Sequence, residues 1–411
     1  MKIHTISSNI YVLHSDVVNH PLFEGFWPIP DGVTLNSYLV RGRKAALIDL
    51  TADWQEAVDL LKKQLSELGE KARFDYLILN HLEPDHTGYL PEFIRQNPEV
   101  EIYATAKGCA LVKNFLKVGS EITLHEVKTG DKLDLGDGTE LSFYEIPNVH
   151  WPETMATFEP KSGTLFSCDA FGGYGKTGDR IFDDEFSDSE QVFYEEERLR
   201  YYATIVASFS TFVTRAIEKL CSADIDIKVV APSHGIVWRA HPETAIERYR
   251  RYAEYNTTGT GEREVCVISG SMYGNTRKAA EAVVRGIKKA AAAAGEDIPV
   301  TILPVPETDV SRVLAAAYKA EALVISAPTY EYKLYPPMAY ILDLFTRKHY
   351  NNKKVLRIGS WGWIGGAKKE YEERTAGLKW EQMEQYEWQG IPGEKEFIDL
   401  EKRGQQLYAM L

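Results

Sequence analysis

The sequence predicts an α/β protein in two parts: a layered sheet sandwich with helices outside it, then an open, doubly wound parallel sheet. Three observations predict this. Short β-rich runs with interspersed helical patterns fill the first half. A regular alternation of strand and helix fills the stretch after Gly261. Between them, Asn256-Thr257-Thr258-Gly259-Thr260-Gly261 contains no apolar residue and reads as a boundary, so the expected domains are 1–255 and 262–411.

In the first part the expected strands are Ile10–Leu13, Asn36–Val40, Ala45–Leu50, Tyr76–Leu79, Glu101–Ala104, Leu141–Ile146 and Ile227–Val230. Gly136-Asp137-Gly138 between two alternating runs signals a hairpin. Apolar residues at three- and four-residue spacing predict helices over Trp54–Leu68 and Gly108–Leu116, and a long one over Glu190–Leu220. In the second part strands are expected at Glu264–Ile268, Val300–Val305, Ala322–Ser326 and Val355–Gly359. Helices are expected at Thr276–Ala294, Val310–Ala320, Met338–Thr346, Lys368–Gly377 and Glu394–Met410.

Composition narrows the function. The 411 residues are 44% hydrophobic and 26% charged, an ordinary globular balance that excludes a disordered chain, collagen or a disulfide scaffold. A net charge of −13 repels a phosphate backbone, so no nucleic acid partner is expected. The four cysteines form no C-x-x-C pair and suit a reducing compartment. No apolar run reaches the ~20 residues of a membrane span, and the start has no signal-peptide pattern. A cytoplasmic protein with no membrane partner is the expectation.

Chemistry concentrates in two sets of loops. After the strand at Tyr76 comes Asn80-His81-Leu82-Glu83-Pro84-Asp85-His86, four potential metal ligands within six positions. Such a cluster is costly without a cation, because its charges repel and desolvate one another. His150, Asp169 and His234 each close a strand-like run and so can meet this loop at one sheet edge, whereas His125 and His241 read as structural or exposed. Four imidazoles with three carboxylates suit a pair of iron ions better than a zinc pair, with manganese and zinc still open by donor type.

In the second part, Ser271-Met272-Tyr273-Gly274-Asn275-Thr276 lies between a strand and a helix start, where backbone N–H groups and hydroxyls cradle a phosphate. The absence of a lysine argues against a nucleoside triphosphate and for a phosphomonoester. Pro328, Thr329 and Tyr330 follow the third strand of this part, and Ser360, Trp361, Gly362 and Trp363 follow the fourth. Both loops lie at carboxyl ends of strands, with aromatics suited to flanking a flat heterocycle.

The order H-x-E-x-D-H, then His150, Asp169 and His234, resembles the metallo-β-lactamase fold family, an αββα sandwich, with Glu83 where its hydrolases usually carry histidine. The three later loops resemble flavodoxin, which implies FMN. Together they resemble the flavodiiron proteins over essentially the whole chain. That resemblance implies a non-haem di-iron centre in which His81, Glu83 and His150 hold one iron, Asp85, His86 and His234 the other, and Asp169 bridges.

The resemblance also implies an oxidoreductase that reduces dioxygen to water, with reduction of nitric oxide to nitrous oxide as the alternative. Two electrons on FMN and two on a ferrous pair match the four that dioxygen needs. A separate donor is expected, either a rubredoxin or a reduced deazaflavin or nicotinamide system, and a head-to-tail homodimer is implied. A metal-dependent hydrolase and a metal-free electron carrier are the rival classes. Glu83 and the flavin loops count against the first, and the complete ligand set against the second.

Overall fold

The structure is a computed structural model that describes residues 3–69, 73–117 and 122–411. The chain divides into two compact units. One comprises Met1–Tyr202 with Thr211–Arg250, and the other Ala203–Ser210 with Arg251–Leu411.

The first unit holds two sheets. Strands β1 (His4–Ser7), β2 (Ile10–Val17), β3 (Val33–Arg41), β4 (Ala45–Ile48), β5 (Tyr76–Ile78), β6 (Glu101–Thr105) and β7 (Thr123–Val127) lie side by side in that order. Strands β8 (Lys132–Gly136), β9 (Thr139–Glu145), β10 (Met155–Glu159), β11 (Thr164–Cys168) and β12 (Val229–Pro232) form the second sheet. Side chains alternate across a strand, so each sheet offers one face to the other. Tyr38, Ala46, Ile48 and Ile78 of the first sheet meet Leu141, Phe143, Met155 and Phe166 of the second in one buried cluster. Leu39, Leu47 and Leu77, on the opposite face of the first sheet, pack with Leu61 of α1 (Gln55–Leu68), Phe93 of α3 (Leu90–Gln96) and Val112 of α4 (Ala106–Asn114). The sandwich with outer helices is therefore as expected.

Local signals explain the boundaries. Asp137 and Gly138, at φ 57° and 73°, form a two-residue turn that fits the right-handed twist of the flanking strands. Thr105 caps α4 by accepting from the Gly108 N–H at 3.1 Å. The single helix expected over Glu190–Leu220 is a correction. Helix α5 (Asp188–Tyr201), opened by the Ser187–Glu190 capping box, gives way to a π turn over Tyr202–Val206 and a 3₁₀ turn over Ala207–Phe209 before α6 (Ser210–Ser222) begins. Apolar spacing reports a buried face, and it continues through a change of helical winding. The polar stretch expected as a boundary also begins in helix, because α7 (Pro242–Thr257) takes in Asn256 and Thr257.

The second unit carries β13 (Glu262–Gly270), β14 (Val300–Val305), β15 (Ala320–Ser326), β16 (Lys354–Trp361) and the short β17 (Glu381–Gln382) in the parallel order β14-β13-β15-β16-β17, with β18 (Tyr386–Gln389) also along β16. This is the 2-1-3-4-5 order of doubly wound flavodoxin-like sheets. Ala279, Val283 and Ile287 of α8 (Asn275–Ala293) and Leu400 and Leu407 of α12 (Glu394–Met410) cover Val265, Val267, Leu356 and Ile358 on one face. Helices α9 (Val310–Lys319), α10 (Pro336–Arg347) and α11 (Ala367–Thr375) complete the expected alternation.

Candidate metal centre and cofactor loops

Each of the seven expected ligands sits just beyond a strand or on the loop that follows one. His81 and Glu83 follow β5, and Asp85 and His86 lie on the single turn α2 (Pro84–Thr87). The Thr87 hydroxyl donates to the Leu82 and Glu83 carbonyls and braces that turn. His150 lies between β9 and β10, Asp169 follows β11, and His234 follows β12.

The seven converge in two halves around one carboxylate. Asp169 Oδ2 lies 3.3 Å from His81 Nε2 and 3.4 Å from His150 Nε2, and Glu83 Oε2 is 3.3 Å and 2.9 Å from the same two nitrogens. Asp169 Oδ1 lies 3.0 Å from His86 Nε2 and 3.3 Å from His234 Nε2, with Asp85 Oδ2 3.4 Å and 3.2 Å from those nitrogens. Donors about 2.0–2.2 Å from a shared cation lie roughly 3.0–3.5 Å from one another, so each half has the spacing of a coordination shell. Asp169 Oδ2, Asp85 Oδ1 and His234 Nε2 are buried without a well-formed hydrogen bond among the described residues, which is costly unless a cation takes up those lone pairs. The residues present therefore fit a pair of bridged ions.

Burial and charge oppose each other here. Burial would raise Asp169, but His86 and His81 hold its carboxyl well below the ordinary range. Glu83 is likewise lowered, as His150 and His81 outweigh burial. Burial would lower His234, yet Asp169 and Asp85 carry it up to about 10; against the same burial, Asp85 and Asp169 raise His86, and Asp169, Glu153 and Glu83 raise His81.

Several supporting residues carried no sequence signal. Glu153 Oε1 accepts from His81 Nδ1 at 2.8 Å and from the Leu82 N–H at 3.0 Å, and the Thr34 carbonyl accepts from His234 Nδ1 at 2.8 Å. These contacts fix the tautomers and aim both Nε2 atoms into the site. Asn36 Nδ2 donates to the Pro232 and Gly235 carbonyls and holds the His234 loop. Cys168 Sγ lies 3.7 Å from His86 Nδ1. A cavity of about 490 Å³ reaches Glu83 and Asp85 from outside, past His20 stacked on Trp54 at 4.0 Å. His125 pairs with Glu101 at 2.6 Å and His241 is exposed, both away from the seven.

In the second unit the three loops fall at the carboxyl ends of β13, β15 and β16. Asn275 and Thr276 open α8, and the Ser271 hydroxyl accepts from the Gly274 N–H at 2.9 Å. Thr276 donates its hydroxyl to the Gly270 carbonyl at 2.7 Å, so it braces the loop from within. Ser269 Oγ is buried without a hydrogen-bond partner among the described residues, at the same strand end. Ser360 and Trp361 belong to β16 itself, and Gly362 and Trp363 lie just beyond it. Thr329–Tyr330 pairs with Lys333–Leu334 in a small hairpin that follows Pro328, with Glu331 and Tyr332 at positive φ. Met272, Tyr273, Tyr330 and Trp363 are exposed at these strand ends. A helix N-terminus with hydroxyls and exposed rings fits a phosphate-bearing flat heterocycle.

Residues 33–235 match the family model described as ODP family beta lactamase. The anaerobic nitric oxide reductase flavorubredoxin of Salmonella typhi is 34% identical over 337 residues, covering 82% of this chain and 67% of its own length. This chain belongs to the flavodiiron protein family. The flavodiiron fold extends along it throughout: a flavoprotein of Thermotoga maritima superposes with TM-score 0.83 at 28% identity, over 100% of this chain and 98% of that one. The rubredoxin oxygen:oxidoreductase of Desulfovibrio gigas superposes with TM-score 0.89 at 24% identity, over 100% and 98%. Flavodiiron proteins are oxidoreductases with FMN and a non-haem di-iron centre, and the donor set and strand-end loops above have the chemistry to hold both.

Proposed function

We propose that this flavodiiron protein reduces dioxygen to water with four electrons, in the cytoplasm, drawing them from a separate donor such as a rubredoxin or a reduced deazaflavin or nicotinamide system. The observation that carries the reading is the carboxylate of Asp169, which offers one oxygen to each half of a seven-residue ligand set. His81, Glu83 and His150 are assigned to one iron, Asp85, His86 and His234 to the other, and Asp169 to both. When bound, the iron pair and FMN supply a two-metal template and a store of electrons for reducing a diatomic gas.

The protein's own contribution is positional. Glu153 and the Thr34 carbonyl hold the imidazoles in one tautomer, and the cavity beside Glu83 and Asp85 admits a small molecule from solvent. Ser271–Thr276 is assigned to the FMN phosphate, and Pro328–Tyr330 and Ser360–Trp363 to the ring system. Nitric oxide reduction is the second reading, favoured by the name of the 34%-identical relative. Steady-state consumption of each gas by anaerobically purified protein with a reduced donor separates the two. Faster dioxygen uptake, four electrons per molecule with no peroxide released, is the expected result. Turnover confined to nitric oxide would replace the first reading with the second, and hydrolysis without gas uptake would reject both.

A further inference from the structure

One buried cation in the second unit has no part in the functions assigned so far. Arg357 sits in the middle of β16 and is only 1% exposed. Its neighbours Leu356 and Ile358 point into the apolar layer under α8 and α12, so Arg357 points to the opposite face. Its Nη1 donates to Glu387 on β18, whose side chain is 19% exposed. Its Nε and Nη2 are buried with no hydrogen-bond partner among the described residues. A buried guanidinium with unmet N–H groups is costly.

The space it occupies is kept open by a glycine. A Cβ at Gly359 would lie 2.7 Å from Arg357 Nη2 and 2.5 Å from the Ala327 carbonyl. The guanidinium therefore reaches along the strand toward its carboxyl end, close to Gly359, whose Cα faces the Ala327 carbonyl of the neighbouring strand end. Tyr371 of α11 lies near enough for the Arg357 charge to offset part of the rise that burial gives its phenol.

We propose that Arg357 is a positioning residue for FMN, and that its buried charge sets the balance between oxidised and reduced flavin. This rests on the assignment of these strand ends to the flavin ring. Oxidised FMN takes two electrons from a donor and one proton from water to become the anionic hydroquinone, a net gain of one negative charge. A buried cation at the base of the ring loops favours that added charge. Glu387 acts oppositely, and because it is partly solvated while the guanidinium is not, the positive end dominates on the loop side.

The test is FMN binding in both redox states. Wild type, Arg357→Met, Arg357→Lys and Glu387→Gln are titrated with oxidised FMN and with dithionite-reduced FMN, and thermal melts confirm that each is folded. Arg357→Met is expected to lower the ratio of reduced to oxidised affinity about tenfold, which is a fall of about 30 mV in the two-electron potential. Glu387→Gln should move the ratio the other way, and Arg357→Lys should keep most of it. A purely structural role would weaken both redox states equally. An unchanged ratio in folded Arg357→Met and Glu387→Gln overturns the inference while leaving the flavin site standing. A wild-type chain that takes up no FMN overturns both.

Discussion

At the scale of single residues, Asp169 is the most consequential position. Its two oxygens serve different halves of the ligand set, so Asp169→Ala is expected to lose both irons, whereas His234→Ala should empty mainly the half it shares with Asp85 and His86. Metal analysis of the folded variants checks this, and two irons retained in Asp169→Ala would remove the bridge assignment. Protonation gives a second prediction. His81, His86 and His234 are raised in the metal-free protein, His234 to about 10. Such groups contribute stability that is complete below the ordinary value of about 6.5 and is lost as pH rises through the raised value. Metal-free protein should therefore melt at progressively lower temperature between about pH 6.5 and 10. Metal-loaded protein, whose imidazoles are already neutral ligands, should not follow. A flat metal-free profile over that range would contradict the assigned protonation.

At the scale of elements, two helices of the second unit meet through glycine. A Cβ at Gly404 of α12 would fall 2.1 Å from the Val283 carbonyl of α8, and one at Gly286 of α8 would fall 2.0 Å from the Glu401 carbonyl. The backbones touch, so even a methyl group must push the helices apart. Gly404→Ala is expected to destabilise this unit by about 1–3 kcal/mol, read by denaturant unfolding, and an unaffected midpoint would mean that the helices separate freely. Most elements were legible in the sequence because their periodicity is strong; α12 runs from Glu394 to Met410 as expected. The break at Tyr202–Phe209 was not, since a π turn keeps an apolar face while changing its winding. Nor were the short strands β17 and β18, whose two and four residues are too few for a period to declare itself.

At the scale of the whole molecule, the two-part plan and the order of the seven converging side chains were legible because side chains that close strands are displayed in sequence as polar residues after apolar runs. The supporting contacts were not. Glu153, Thr34 and Asn36 act on residues far away in the chain, and Arg357 looks like a misplaced surface charge until the space over Gly359 is seen. Assembly belongs to this scale too. In the head-to-tail dimer that the family resemblance implies, the FMN of one chain would serve the iron pair of the other. A mixed dimer of one Asp169→Ala chain and one chain with a disabled Ser271–Thr276 loop should then regain activity that neither parent homodimer has. A verified mixed dimer without activity would place electron transfer within each chain.

The split carboxylate of Asp169 has a further consequence for how iron enters. An ion in one half fixes the plane of that side chain, and with it the oxygen offered to the other half. A second ion would then meet an arrangement already ordered, and by linkage whatever the first ion adds to the second's hold the second adds to the first's. Iron titration of metal-free protein is therefore expected to pass from empty to doubly loaded chains with little singly loaded form between them, and a titration in which one half fills completely before the other would remove the coupling.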